Sequence, residues 1–154
     1  MPKKKFQSIE ELRAVIGQEV AVGEWLAVTQ TQINQFAEAT GDHQWIHLDE
    51  KRAQAESPYG TTIAHGFLTL SLLPRLMADT LELPKAKMSV NYGLNRVRFA
   101  APVPAGKKVR PRVTLLSIED VPGGVQMSWK VTIEVEGSEK PACIAETIGR
   151  HYHQ

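Results

Sequence analysis

At 154 residues, with 42% hydrophobic and 23% charged residues, the chain is long enough for one domain with a core of its own. Its net charge of +1 argues against a nucleic-acid surface, and no apolar run reaches the roughly 18 residues needed to span a bilayer. Cys143 is the only cysteine, so no intrachain disulfide can form; with no apolar stretch behind the N-terminal charges, the cytoplasm is the expected compartment.

The chain begins with Lys3, Lys4 and Lys5, and no aromatic residue interleaves with them. Residues 1–5 are therefore expected to be a solvated basic tail of a single domain spanning 1–154. Ser8 and Glu11 form a capping-box pattern, and the stripe Ile9, Leu12, Val15, Ile16 predicts a helix ending at Gly17. Residues 19–28 read as one strand. Thr29 with Gln32 opens a second helix, whose Ile33, Phe36 and Ala37 share a face and which Gly41 closes. Residues 49–55 read as a further short helix. Between Gly66 and Leu81 the apolar residues Phe67, Leu68, Leu70, Leu72, Leu73, Leu76 and Met77 point in almost every direction, which predicts a buried helix with no wet face. Pro74 removes one hydrogen bond inside it and should bend it.

After Pro84 the pattern changes to sheet. Val125, Met127, Trp129, Val131, Ile133 and Val135 alternate with polar residues, the period of a half-buried strand. Stretches 87–100, 107–119 and 142–152 also read as strands, and Pro122-Gly123-Gly124 and Gly137-Ser138 supply turns. Long strands in sequence with short turns favour an antiparallel sheet. The expected class is α+β, a sheet curled around a long buried central helix; an open sandwich with helices on one face is the alternative.

The densest polar cluster runs from Thr40 to Asp49, at a helix end and in the irregular segment after it. Asp42 and His47 are five apart, a separation that does not align them on a helix but lets them converge in a bend. A carboxylate and an imidazole meeting at one water can hold it and move its protons. The plainer reading is that Asp42 finishes a helix end and His47 is a satisfied, half-buried histidine. Gly66 stands where the apolar helix begins, so its N–H has no intrahelical partner and no side chain blocks a ligand carbonyl. Such a donor can stabilise an enolate oxygen, or the glycine can serve packing alone. His43 and His47 have the spacing of a zinc-protease helix, but Gln44 replaces the required glutamate and Gly41 interrupts the helix, so no metal is expected. The stretch Gly60–Gly66 lacks the lysine of a phosphate-binding loop. His151 and His153 have no evident partners, and a surface position suffices for them.

The segment Phe36-Ala37-Glu38-Ala39-Thr40-Gly41-Asp42, then Ile46-His47-Leu48-Asp49, then Ile63-Ala64-His65-Gly66, resembles the MaoC-like (R)-specific enoyl-CoA hydratases. Asn91-Tyr92-Gly93-Leu94-Asn95-Arg96-Val97-Arg98-Phe99, followed by Pro102-Val103, is similar to the nodulation-protein-N-like branch. The similarity covers residues 6 to 150. It implies a hot-dog fold, a homodimer with acyl-CoA bound near the interface, and reversible hydration of trans-2-enoyl-CoA to (R)-3-hydroxyacyl-CoA. By the same resemblance, Asp42 and His47 take the catalytic positions and Gly66 that of the glycine whose N–H meets the thioester oxygen. Tyr92 and Asn95 are candidates for the wall of the acyl channel. Many members have Asn-Pro where this chain has Gln44-Trp45, which leaves Gln44 as a candidate to orient the water. Pro74 stands where some members place a serine that supports the dyad, so another group must orient His47, or none does. Coenzyme A enters only as part of the substrate, with no metal, redox cofactor, nucleic acid or membrane. Two rival functions fit the same fold: a thioesterase, and an acyl-CoA-binding module without turnover.

Overall fold

The structure, a computed structural model, describes residues 2–153. The basic start is not wholly a tail. Lys4–Lys5 form a short strand, β1, paired in parallel with Leu81–Glu82. The pairing holds because Phe6 is buried immediately after it, and the Phe6 N–H donates to the Glu82 carbonyl at 2.9 Å. Helix α1 (Ile9–Arg13) starts under the Ser8 cap and stops short of Gly17; it buries Leu12 and leaves Ile16 exposed.

The expected strand over 19–28 is two strands, β2 (Glu19–Val22) and β3 (Leu26–Ala27). The reason lies on the facing strand. The Gly23 N–H donates to the Pro111 carbonyl at 2.8 Å, but proline has no N–H to return, so the ladder lapses there. Helix α2 (Gln30–Thr40) carries both bonds of the Thr29–Gln32 capping box and ends on Gly41, whose φ of +82° needs a glycine-like conformation. Two short helices follow, α3 (Trp45–Leu48) and α4 (Glu50–Glu56), the latter capped by Asp49.

The apolar segment is two helices, α5 (Gly66–Ser71) and α6 (Leu73–Thr80), divided at Leu72 because Pro74 lacks the N–H that would continue the ladder. One side packs Leu68, Leu73 and Leu76 against the sheet. The other side is wet: Phe67 is 67% exposed, and Ser71, Pro74 and Arg75 are exposed too. The expectation of a helix covered on all sides is therefore corrected.

Strands β4 (Leu81–Glu82), β5 (Met88–Arg98), β6 (Lys108–Val121), β7 (Gly124–Val135) and β8 (Cys143–Tyr152) complete the chain. The main sheet has the order β2-β6-β7-β8-β5, with β3 also on β6, and its pairings are antiparallel. Central β7 buries Val125, Met127, Trp129, Val131, Ile133 and Val135 as its period of two predicts. Edge strand β5 differs: all its residues except Val97 are exposed. Among the described residues, no helix is long and apolar enough to cross a membrane.

Candidate active site

Because Gly41 caps α2 through its own N–H to the Ala37 carbonyl (2.8 Å), Asp42 is released from helix duty. Its side chain instead closes a local turn, accepting the Gln44 N–H on Oδ1 at 3.3 Å, and stays exposed. The chain then re-enters helix at α3, which turns His47 inward until the residue is 7% exposed. His47 Nδ1 lies 2.8 Å from the Ile63 carbonyl. A carbonyl can only accept, so the hydrogen sits on Nδ1 and the lone pair on Nε2. Gln30, on the first turn of α2, binds the His47 carbonyl at 2.8 Å and receives the Thr62 hydroxyl at 2.6 Å, which locks the bend to both neighbouring segments.

The ligand-type atoms of Asp42, His47 and His65 all lie within 4.8 Å of one another. His65 is buried; its ring stacks on that of His47 with centroids 3.9 Å apart and planes 24° apart. Nearly parallel rings send their in-plane lone pairs along parallel planes and not to one point, so the group suits a held water better than a tetrahedral ion. Burial pushes the His47 imidazole below its ordinary 6.5; the Ile63 carbonyl and Asp42 pull upward, and His65 pushes further down. The ring is thus neutral at pH 7, with a free acceptor beside a carboxylate.

Gly66 opens α5 one residue after His65. Since α5 has only six residues, its dipole is small, and the single N–H is what Gly66 can offer. A Cβ at position 66 would stand 3.2 Å from the Phe99 ring. Gly66 and Phe99, with Ile63, Thr69 and Val103, line an open cavity of about 250 Å³. Ile63, on the wall of this cavity, holds the His47 ring through its carbonyl, while Asp42 and His47 themselves do not line it. Tyr92 and Asn95 sit where the register of β5 on β8 shifts, so both are bulge residues, and both are exposed. Tyr92 stacks under the Arg150 guanidinium (3.8 Å). Among the described residues, no hydrogen bond or ring contact joins either to Asp42, His47 or Gly66. The Gln44 side chain makes no capping bond and is exposed.

A family profile described as the MaoC-like domain matches residues 11–136. The chain belongs to the MaoC-like family. Over 149 residues this MaoC-like chain is 52% identical to 3-hydroxyacyl-thioester dehydratase Z of Mycobacterium tuberculosis, covering 96% of this chain and 98% of that one. It is 43% identical to nodulation protein N of Rhizobium leguminosarum, covering 92% and 89%. Its fold overlays a monoamine oxidase regulatory protein from Archaeoglobus with a TM-score of 0.76 at 21% identity, over 100% and 99% of the two chains. The (R)-hydratase from A. caviae gives 0.67 at 21%, over 84% and 96%. These structural likenesses speak for the fold alone, which is the hot-dog fold.

Three site features of the MaoC-like chain were not visible in sequence: the role of Gln30, the Ile63 carbonyl and the stacked His65. The expected substitute for a supporting serine is that carbonyl, an atom every residue carries. His65 had a signal, its place one residue before Gly66, but nothing in its spacing joins it to His47. His151, expected on the surface without partners, is partly buried and 3.0 Å from the Ser89 hydroxyl, beside a second cavity at the far end of α6.

Proposed function

We propose that this protein reversibly hydrates trans-2-enoyl-CoA to (R)-3-hydroxyacyl-CoA. The observation that carries the reading is the Asp42 carboxylate within 4.8 Å of a buried His47 whose Nδ1 bond leaves Nε2 as an acceptor. The name of the 52% identical relative, a 3-hydroxyacyl-thioester dehydratase, supports the same chemistry. A water held by both groups attacks Cβ as His47 Nε2 takes its proton, and the electron pair moves to the thioester oxygen. The Gly66 N–H donates to that oxygen, typically worth about 2–4 kcal/mol in such sites. The imidazolium then returns the proton to Cα, while Asp42 steadies its charge. The step needs no metal or redox cofactor.

Crotonyl-CoA tests the proposal. Hydration consumes the enoyl absorbance without freeing thiol, and chiral analysis of the product reads the hand. Thiol release indicates a thioesterase instead, and binding without turnover a carrier module. Cys143 offers no rival nucleophile, since burial lifts its thiol to about 11.

The pH dependence follows from His47. Its neutral form is the base, so kcat/KM should rise with pH to a plateau, on an acid limb whose midpoint lies below that ordinary value of 6.5. An acid limb centred above 6.5 contradicts the assignment. The same depressed value means that the unfolded chain binds this proton more readily than the folded one. Stability from His47 is therefore present above 6.5 and lost as pH falls through the lowered value.

The homodimer belongs to this proposal. Edge strand β5 exposes Met88, Val90, Tyr92 and Leu94, and the exposed Phe67 and Phe99 continue the apolar surface to Gly66 (Phe67–Phe99 centroids 6.0 Å). An unpaired, apolar edge is a template for a second chain, and a copy there would cover Tyr92 and Asn95 and wall the cavity beside Gly66. Leu94→Asp should convert the dimer to a monomer in light scattering and reduce turnover with it; a wild-type monomer with full activity rules the arrangement out.

A further inference from the structure

Deepening the hydratase reading, on which it rests, we infer that His65 is a positioning residue: its Nε2–H tethers the Asp42 bend while its ring face supports His47. One side chain thereby sets the spacing of the two water-holding groups.

His65 is held from every side. It is 2% exposed, its carbonyl accepts the Thr69 N–H at 3.2 Å, and Phe36 packs against its ring at 4.8 Å with planes 53° apart. Nε2 lies 3.0 Å from the Asp42 carbonyl, an acceptor, so Nε2 carries the hydrogen. Nδ1 is then a bare acceptor, and it is buried without a hydrogen-bond partner among the described residues. A hydrocarbon ring would fill the same space and strand no nitrogen. What the imidazole adds is the Nε2 donor, and that donor is spent on the backbone of Asp42.

The two stacked rings therefore have opposite tautomers. His47 is fixed through Nδ1–H to Ile63, which frees Nε2; His65 is fixed through Nε2–H to Asp42. The Asp42 bend follows a glycine cap and carries an exposed side chain, so a rigid link to the buried ring at the start of α5 limits where its carboxylate can stand. Displacing a catalytic group by about 1 Å can cost on the order of a hundredfold in rate.

The test uses the full chain. Glutamine places an amide nitrogen where Nε2 is, and asparagine places one where Nδ1 is. His65→Gln keeps the donor but not the ring face, so it should lose clearly less kcat than His65→Asn, which should lose at least about tenfold with KM little changed. Equal loss in both variants, or none in His65→Asn, overturns the proposal. Nitrogen-15 spectra of the wild-type imidazoles supply a readout independent of turnover: His65 should carry hydrogen on Nε2 and His47 on Nδ1. The other tautomer at His65 sinks the tether even in an active enzyme. If the wild type hydrates no enoyl thioester, the hydratase reading fails, while these spectra still decide the tether.

Discussion

Replacing His47 by asparagine should lower crotonyl-CoA hydration by about a hundredfold or more, some 2.7 kcal/mol in the barrier, with the fold intact. Asparagine is the informative choice because its amide reaches only as far as Nδ1. It keeps a donor for the Ile63 carbonyl, which alanine would leave unpaired at a buried position, and it removes the acceptor at Nε2. Asp42→Asn makes the complementary change: it keeps an oxygen for the Gln44 N–H and abolishes the charge. Both variants should melt near the wild type, since Asp42 is exposed and the His47 tether survives. Combined, they should lose little more than either alone, because two groups gripping one water act as a unit. Steady-state assays of the two single variants and the double variant check this. Hydration within tenfold of the wild type in both single variants removes the dyad.

How far the sequence reached depended on how far apart the interacting residues stood. Strand β7 was legible because the pleat alone decides which face each residue takes. The Thr29–Gln32 box was legible for the same reason, as its bonds close within three residues. The spacing of Asp42 and His47 allowed them to converge without requiring it, and the family resemblance is what paired them. The partners that hold them in place come from 16, 17 and 23 residues away. No local period reports such a return of the chain. The break between β2 and β3 was hidden likewise, since its cause, Pro111, lies on the facing strand. The apolar segment after Gly66 misled for a different reason: a greasy face left uncovered by its own chain looks, in sequence, like one buried in a core.

Leu76→Ala should destabilise the protein by about 2–5 kcal/mol, a large part of the stability of a domain this size. Leu76 lies on α6, is 2% exposed, and belongs to the same apolar core as Val113, Leu115, Met127 and Val131 from the sheet. Strand residues paired across β6 and β7 cannot move singly to fill the space, so the void persists and adds its cost to that of the lost apolar burial. Urea unfolding should show a lower midpoint with an unchanged slope. Yet the Asp42, His47 and His65 contacts arise from α2, α3 and the start of α5, beyond the division at Leu72, and none involves Leu76. Turnover per folded molecule should therefore stay close to the wild type. A variant that keeps its stability and loses its rate would mean that α6 sets the geometry of the site, and the division at Leu72 would then be a hinge that transmits motion instead of a break that insulates the chemistry.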